Sequence, residues 1–323
     1  MPTPGTVPAR RNGLTRVDIG LALTILVWGV NYAVIKAALA ELQPLAFNAI
    51  RFALATLTLV LLMRSRGPAP RISRPDLARL ALLGVLGNTI YQMIFIFGIA
   101  RTTVANASLI MASCPIMVAV LGTALGRDRL PAAAWAGVGL AVGGLALLLA
   151  SGRGSGLAWG KLTGDLLILA AGVTWSVYTV LASGVMARVP SLAATLVTFL
   201  AGTPVLVAVA VPSLLAQDWG AVGVRGWFGA AFSGVFAIGI SYVLWNAGLA
   251  SLGGARTAVY QNFTPVVAAA FAWLTLGEHW TPGQFAGAAA VLCGIALTRL
   301  RPAAPATALQ PGACAKTQPP GAA

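Results

Sequence analysis

Residues 103–131 read TVANASLIMASCPIMVAVLGTALGRDRLP, and residues 253–282 read GGARTAVYQNFTPVVAAAFAWLTLGEHWTP. Each is an apolar stretch with a proline near its middle, Pro115 or Pro265. A turn follows, opened by Gly126 or Gly277 and closed by Pro131 or Pro282. A helix–turn–helix unit stated twice, about 150 residues apart, says that the chain is built from two copies of one design. Its composition says which solvent the design is for.

Hydrophobic residues make up 58% of the 323 residues and charged ones 9%, against about 25% charged in soluble domains. So little charge cannot cover a soluble protein of this size, and lipid is the expected solvent. A bilayer core of ~30 Å takes about 20 apolar residues per helix. Runs of that length, punctuated by Arg, Gly and Pro, fall at 18–38, 44–63, 79–99, 103–125, 131–150, 164–186, 191–211, 227–249, 254–276 and 281–300. The expected fold class is an all-α integral membrane protein of ten transmembrane helices.

The duplication extends over the whole set. From Gly84 to Pro115 the second copy lies at a constant offset, pairing Gly84 with Gly234, Gly98 with Gly248 and Pro115 with Pro265. Asp18 and Trp28 pair with Asp165 and Trp175 at a slightly shorter offset. Five helices per copy is an odd number, so the second copy enters the membrane from the opposite side. The expectation is two inverted five-helix repeats, residues 18–150 and 164–300, joined by a linker at 151–163. A tail at 1–17 precedes them, and a disordered tail rich in Ala and Pro follows at 301–323. Inverted repeats place substrate sites at their interface, near the midplane.

Orientation follows from the basic residues. With the N-terminus inside, fifteen of the 21 Lys and Arg fall on the inner side and five on the outer, with Arg51 inside a span. The positive-inside rule then puts both termini in the cytoplasm, in a cell inner membrane. The formal charge of +14 is spread over short loops and forms no basic stripe with interleaved aromatics, which excludes a single-strand nucleic-acid binder. Cys114, Cys293 and Cys314 have no paired spacing, so neither a disulfide framework nor a metal site is expected.

The residues now in view resemble the drug/metabolite transporter superfamily, in particular EamA-type proteins. The first span carries LVWGVNYAVIK, similar to that family's Trp-Gly-x-Asn opening, and the second carries Ile50-Arg51-Phe52. The fourth carries ANASLIMASCP, and the turns GRDRLP and LGEHWTP resemble the family's Gly-Glu-x-x-x-Pro turn. Arg127 stands in the first turn where the second has Glu278. The resemblance covers residues 18–300. It implies ten helices in inverted repeats around a central cavity that moves amino acids, other metabolites or drugs, with no cofactor. The bilayer and a small-molecule substrate are the expected partners, and the chain is a monomer or a homodimer.

Burying a polar group in an apolar bundle costs free energy unless it meets water, substrate or a partner, so polar side chains deep in the spans are the candidate site. In the first span, Trp28, Asn31 and Tyr32 share one face at i, i+3, i+4. Asn88, Tyr91 and Gln92 repeat that spacing in the third, and Tyr242, Trp245 and Asn246 repeat it in the eighth. Asn106 in the fourth span, Trp175 and Tyr178 in the sixth, and Tyr260, Gln261 and Asn262 in the ninth complete the candidate substrate-binding set. The alternative for each is polar glue between helices or interfacial anchoring of the aromatic rings.

Arg51 either grips a substrate anion or plays a structural part, snorkelling outward or pairing with Glu41; the structural part is favoured. The seven Asp and Glu all fall at span ends or in loops, which argues against a mid-membrane carboxylate relay. His279, the only histidine, sits in the last turn. Pro115 and Pro265 are hinge candidates. Gly139-x-x-x-Gly143 and Gly283-x-x-x-Gly287 serve close packing, within the chain or between two chains. Neither His-Glu-x-x-His nor an Asp pair occurs at membrane depth, so no catalytic set is expected.

Overall fold

The computed structural model describes residues 15–68, 70–125, 132–151, 159–278 and 280–299. Among them the secondary structure is helical throughout. We number the helices α1 (Arg16–Ala38), α2 (Pro44–Ser65), α3 (Arg74–Arg101), α4 (Val104–Ala124), α5 (Ala132–Ser151), α6 (Trp159–Met186), α7 (Ser191–Ala216), α8 (Val224–Leu252), α9 (254–276) and α10 (Pro282–Arg299). Seven of these, α1–α4 and α6–α8, are long and apolar enough to cross a membrane.

Local chemistry sets the ends. Thr15 and Asp18 form a capping box on α1: Asp18 N donates to Thr15 Oγ1 at 3.2 Å, and Thr15 N donates to Asp18 Oδ2 at 2.8 Å. Pro44 stands at the start of α2, where its missing N–H costs nothing. Ser73 caps α3, with Pro75 in the first turn. The helix starts at Arg74, five residues before the expected start of the third span at 79, because arginines and a proline dilute the apolar run while favouring the helix. Gly277, in the left-handed region at φ 64°, ends α9 as only glycine does without strain.

Four helices are interrupted. α3 and α8 each contain a π-helical turn, at Val85–Ile90 and Ser233–Ile240. α4 breaks at Ser113, and α9 passes through a 3₁₀ turn at Gln261–Phe263. The last two interruptions lie immediately before Pro115 and Pro265.

The packing has an internal regularity. The principal pairs are α5 with α10, α2 with α7, and α4 with α9; then α3 with α6 and α1 with α8; then α2 with α8 and α7 with α3; then α1 with α9 and α6 with α4. Exchanging each of the first five helices with the one five places later returns the same set. Glycine contacts obey the exchange at residue level. A Cβ added to Gly84 would meet Thr198 O at 2.2 Å, and one added to Gly234 would meet Arg51 O at 2.6 Å. Gly98 faces Ile168 as Gly248 faces Leu21, a Cβ on either lying 2.8 Å from the side-chain tip. A Cβ on Gly144 would meet Gly287 O at 2.8 Å, and one on Gly294 would meet Gly137 O at 2.5 Å.

The last pair corrects one expectation. α5 and α10 pack through Gly137, Gly144, Gly287 and Gly294, whereas a Cβ on Gly139 or Gly143 would touch nothing within 4 Å. Gly139-x-x-x-Gly143 therefore faces away from the bundle. A Cβ on Gly283 would instead run into the Ser151 side chain. Gly126, Arg127, Pro131, His279, Cys314 and residues 1–14 and 300–323 lie outside the described residues, while 15–17 of the expected tail cap and open α1.

Candidate functional site

Residues in matching positions of the two halves touch one another directly. Trp28 and Trp175 meet edge-on at 6.0 Å between ring centroids. Phe52 stacks on Phe199 at 5.4 Å. Thr56 and Thr203 share a hydrogen bond of 2.9 Å between their hydroxyls. Gln92 Nε2 donates to the Tyr242 hydroxyl at 3.1 Å. A residue can touch its own counterpart only near an axis that exchanges the two halves, so these four contacts mark that axis.

A cavity of about 60 Å³ opens beside them, well below the ~300–1,000 Å³ of ligand pockets, so a metabolite enters only if the helices move apart. Its aromatic wall is Trp28, Tyr32, Tyr91, Phe95, Trp175 and Tyr242. Its polar lining is Asn31, Arg51, Gln92, Gln261 and Thr264, with Met111, Ala237 and Ile238 filling the remainder. The rings form one connected cluster: Trp28 lies 5.1 Å from Trp245 and 6.1 Å from Tyr242, and Tyr91 lies 5.0 Å from Trp175. Trp28 Nε1 donates across to Ala237 O at 2.8 Å, fixing its ring against the π-helical turn of α8.

Arg51 is 1% exposed, which overturns the expectation that it snorkels outward or pairs with Glu41. Glu41 accepts instead from Gly223 N and Gly226 N, at 3.0 and 2.9 Å, and caps the start of α8. The guanidinium lies 5.3 and 5.7 Å from the Phe47 and Phe52 ring centroids. Its Nε donates to Asn48 Oδ1 at 2.8 Å, Nη1 to Ser233 Oγ at 3.1 Å and Nη2 to Gln92 Oε1 at 2.5 Å. Asn48 is itself held by donation to Gln92 O at 2.9 Å. Among the described residues no carboxylate lies within ion-pair distance of Arg51. A guanidinium costs ~2.5–3.5 kcal/mol at the centre of a membrane-spanning helix on insertion scales, and less towards its ends. Here neutral groups alone solvate it.

The cavity gathers most of the candidates and not the rest. Asn88 is fully buried, but beside α7, where a Cβ on Gly202 would approach its Cβ to 2.8 Å. Neither of its amide atoms has a hydrogen-bond partner. Tyr178 stacks on Trp175 at 5.2 Å and covers Gly87, off the cavity. Trp245 backs the ring cluster, and Asn246 Nδ2 donates to Thr195 Oγ1 at 2.7 Å. Asn262 is half-buried and does not line the cavity.

Asn106 and Tyr260 sit near helix ends. Asn106 donates to both oxygens of Asp165, at 3.2 and 3.1 Å, and accepts from Gln284 Nε2 at 2.8 Å. Asp165 also accepts from Thr102 and is 3% exposed, a buried carboxylate where an ordinary span end was expected. Tyr260 donates to Asp18 Oδ1 at 2.5 Å. Lys36 donates to three carbonyls, of Ile99, Ala100 and Thr102, and Glu278 accepts from Val104 N and Ala105 N, so both close the α3–α4 junction.

Sequence reasoning missed Asn48, Ser233 and Thr264. Asn48 was findable, three residues before a buried arginine and on its face. Ser233 and Thr264 carry no such signal, since hydroxyls on apolar helices commonly bond back to a carbonyl one turn earlier, as Thr24 and Thr58 do here.

Comparison with known proteins agrees with this architecture. The model of the EamA-like transporter family matches residues 15–150 and 162–300. An uncharacterized transporter of Archaeoglobus fulgidus is 28% identical, covering 88% of this chain and 97% of its own. A probable amino-acid metabolite efflux pump of Salmonella typhimurium is 29% identical over 87% of this chain and 94% of its own. A probable terminal-alkyne amino-acid exporter of Streptantibioticus cattleyicolor is 26% identical over 89% and 95%. A solved crystal structure superposes with a TM-score of 0.65 at 21% identity, over 89% of this chain and 99% of that one. This last likeness speaks to the fold alone.

Proposed function

The chain belongs to the EamA-like transporter family, and from that premise we propose that it exports small metabolites such as amino acids by alternating access. It is a multi-span membrane protein of a transporter family, and the finer reading is ten spans in two inverted repeats. The observation that carries it is the set of counterpart contacts, Trp28 with Trp175 and Gln92 with Tyr242, beside the cavity. A cavity against an axis that exchanges two halves is shut on one side by one half and on the other by its counterpart. Rocking the halves exposes it to each side in turn.

Export, rather than uptake, is supported by the two relatives above that are named as a probable exporter and a probable efflux pump. The excess of arginine in the loops on the side of both termini supports a cytoplasmic location for them. One cation on an otherwise neutral lining favours zwitterionic or neutral cargo over multiply anionic cargo such as sugar phosphates.

The test is efflux from liposomes reconstituted with the full chain and loaded with labelled neutral amino acids, with and without a pH gradient. Native flux should exceed that of empty liposomes, and Trp28→Ala should lower it at least tenfold. Equal flux in native and Trp28→Ala liposomes would refute the assignment of the cavity. The wall of six aromatic side chains also favours a second cargo class, flat aromatic drug-like compounds. Efflux of such a dye without any amino-acid flux would select it.

A further inference from the structure

The polar groups of the cavity are sorted by what they lack. Arg51 has five N–H donors, and three are used on Asn48, Ser233 and Gln92. Two donors and a full positive charge remain without an acceptor or a counter-charge among the described residues. Elsewhere in the lining, on α1 and α9, Asn31 Oδ1 and Thr264 Oγ1 have no hydrogen-bond partner, although Asn31 is 9% exposed and Thr264 3%. Buried polar atoms are nearly always paired in folded proteins. Other unpaired atoms, such as those of Asn88, lie off the cavity, but these two share one small space with the spare donors of Arg51.

A single kind of ligand completes both sets. A carboxylate takes the two remaining Arg51 donors as a bidentate, charge-assisted pair. An ammonium carries three donors and no acceptor, and so suits Asn31 Oδ1 and Thr264 Oγ1. We propose that the cavity recognises the zwitterionic head group of a neutral α-amino acid, with Arg51 on the carboxylate and Asn31 and Thr264 on the ammonium. The side chain then lies against the aromatic wall, which selects apolar and aromatic residues. Other head groups fit worse. A bare amine leaves two cations together in a dry cavity, and a bare carboxylate leaves Asn31 and Thr264 unpaired. A dianion meets a single cation, because Lys36 is committed to the carbonyls at the end of α3.

This assignment rests on the carrier reading, and its test separates the two. Proteoliposomes carrying the full chain are assayed for efflux of labelled phenylalanine, phenylalaninamide (no carboxylate) and 3-phenylpropionate (no ammonium). The native protein should move phenylalanine at least tenfold faster than either analogue. Arg51→Gln should reduce the preference over phenylalaninamide to near unity while keeping the preference over 3-phenylpropionate. Asn31→Ala and Thr264→Val should each do the converse. A fold change in one ratio and not the other is something a general packing defect does not produce.

If Arg51→Gln does not yield folded protein, Arg51→Lys keeps the charge without the fork and should narrow the amide ratio several-fold. Native flux equal for all three compounds overturns the head-group assignment and leaves the carrier reading standing. Ratios unchanged in Arg51→Gln and in Asn31→Ala also overturn it. Native liposomes no different from empty ones, for all three compounds, overturn both.

Discussion

Replacing Gly84 by alanine puts a methyl group where α3 and α7 touch through their backbones. The new Cβ lies 2.2 Å from Thr198 O, about 1.2 Å inside the 3.4 Å at which ordinary contact begins. The atom it meets belongs to a helical backbone, so no rotamer change gives way. Gly202 presses from the other helix, its own Cβ position 2.3 Å from Gly84 O. Relief therefore requires the two helices to part by about 1 Å, the sort of overpacking that costs about 1–3 kcal/mol.

At ~2–4 °C per kcal/mol for larger chains, the midpoint of thermal unfolding should fall by roughly 2–12 °C. Gly234→Ala meets Arg51 O at 2.6 Å and should fall by less. Gly139→Ala, with nothing within 4 Å, should stay within about 1–2 °C of the native protein. The measurement is intrinsic tryptophan fluorescence of the full chain in detergent during a thermal ramp. Gly84→Ala and Gly139→Ala unfolding at the same temperature would refute the close approach of α3 to α7.

Three other perturbations follow from contacts already described. A double-mutant cycle of Phe52→Leu and Phe199→Leu should return a coupling of about 0.5–1.5 kcal/mol in thermal stability, and additive effects would disprove the stacked pair. Glu41→Gln removes the charged acceptor at the start of α8 and should cost about 0.5–2 kcal/mol, lost in part by the native protein in high salt; a salt-independent difference from native would contradict the cap. Cysteines replacing both Thr56 and Thr203 should oxidise readily and halt flux, and a reductant should restore it. Native flux in the oxidised double variant would mean that α2 and α7 do not separate during transport.

The helices were legible because Arg, Gly and Pro interrupt long apolar runs at nearly every end. The start of α3 lies earlier than hydropathy alone places it, because Ser73, Pro75 and Asp76 signal a helix through capping. Helical spacing correctly brought Trp28, Asn31 and Tyr32 to one cavity. It failed for Asn88, since α3 is buried on more than one side and contains a π-helical turn at Val85–Ile90, which shifts the phase between Asn88 and Gln92. Asn106 and Tyr260 share the residue types of the deep set, but each lies within two turns of a helix start, where carboxylates reach them. The inward aim of Arg51 was not readable, because the rotation of α2 is set by α7 and α8 and leaves no mark on its own residues.

The counterpart contacts have a consequence for what one chain can do that two cannot. Phe52–Phe199, Thr56–Thr203 and Trp28–Trp175 are each a residue facing its own kind, as at the two-fold interface of a homodimer. Half of this chain, meeting a second copy of itself, could make all three. Arg51 breaks the pattern, since the position that receives Gly84 as Arg51 receives Gly234 is Thr198. Two identical halves would bring two guanidiniums towards one dry cavity and repel each other. A lone charge beside the axis is open only to a protein whose halves are free to differ, and covalent fusion grants that freedom.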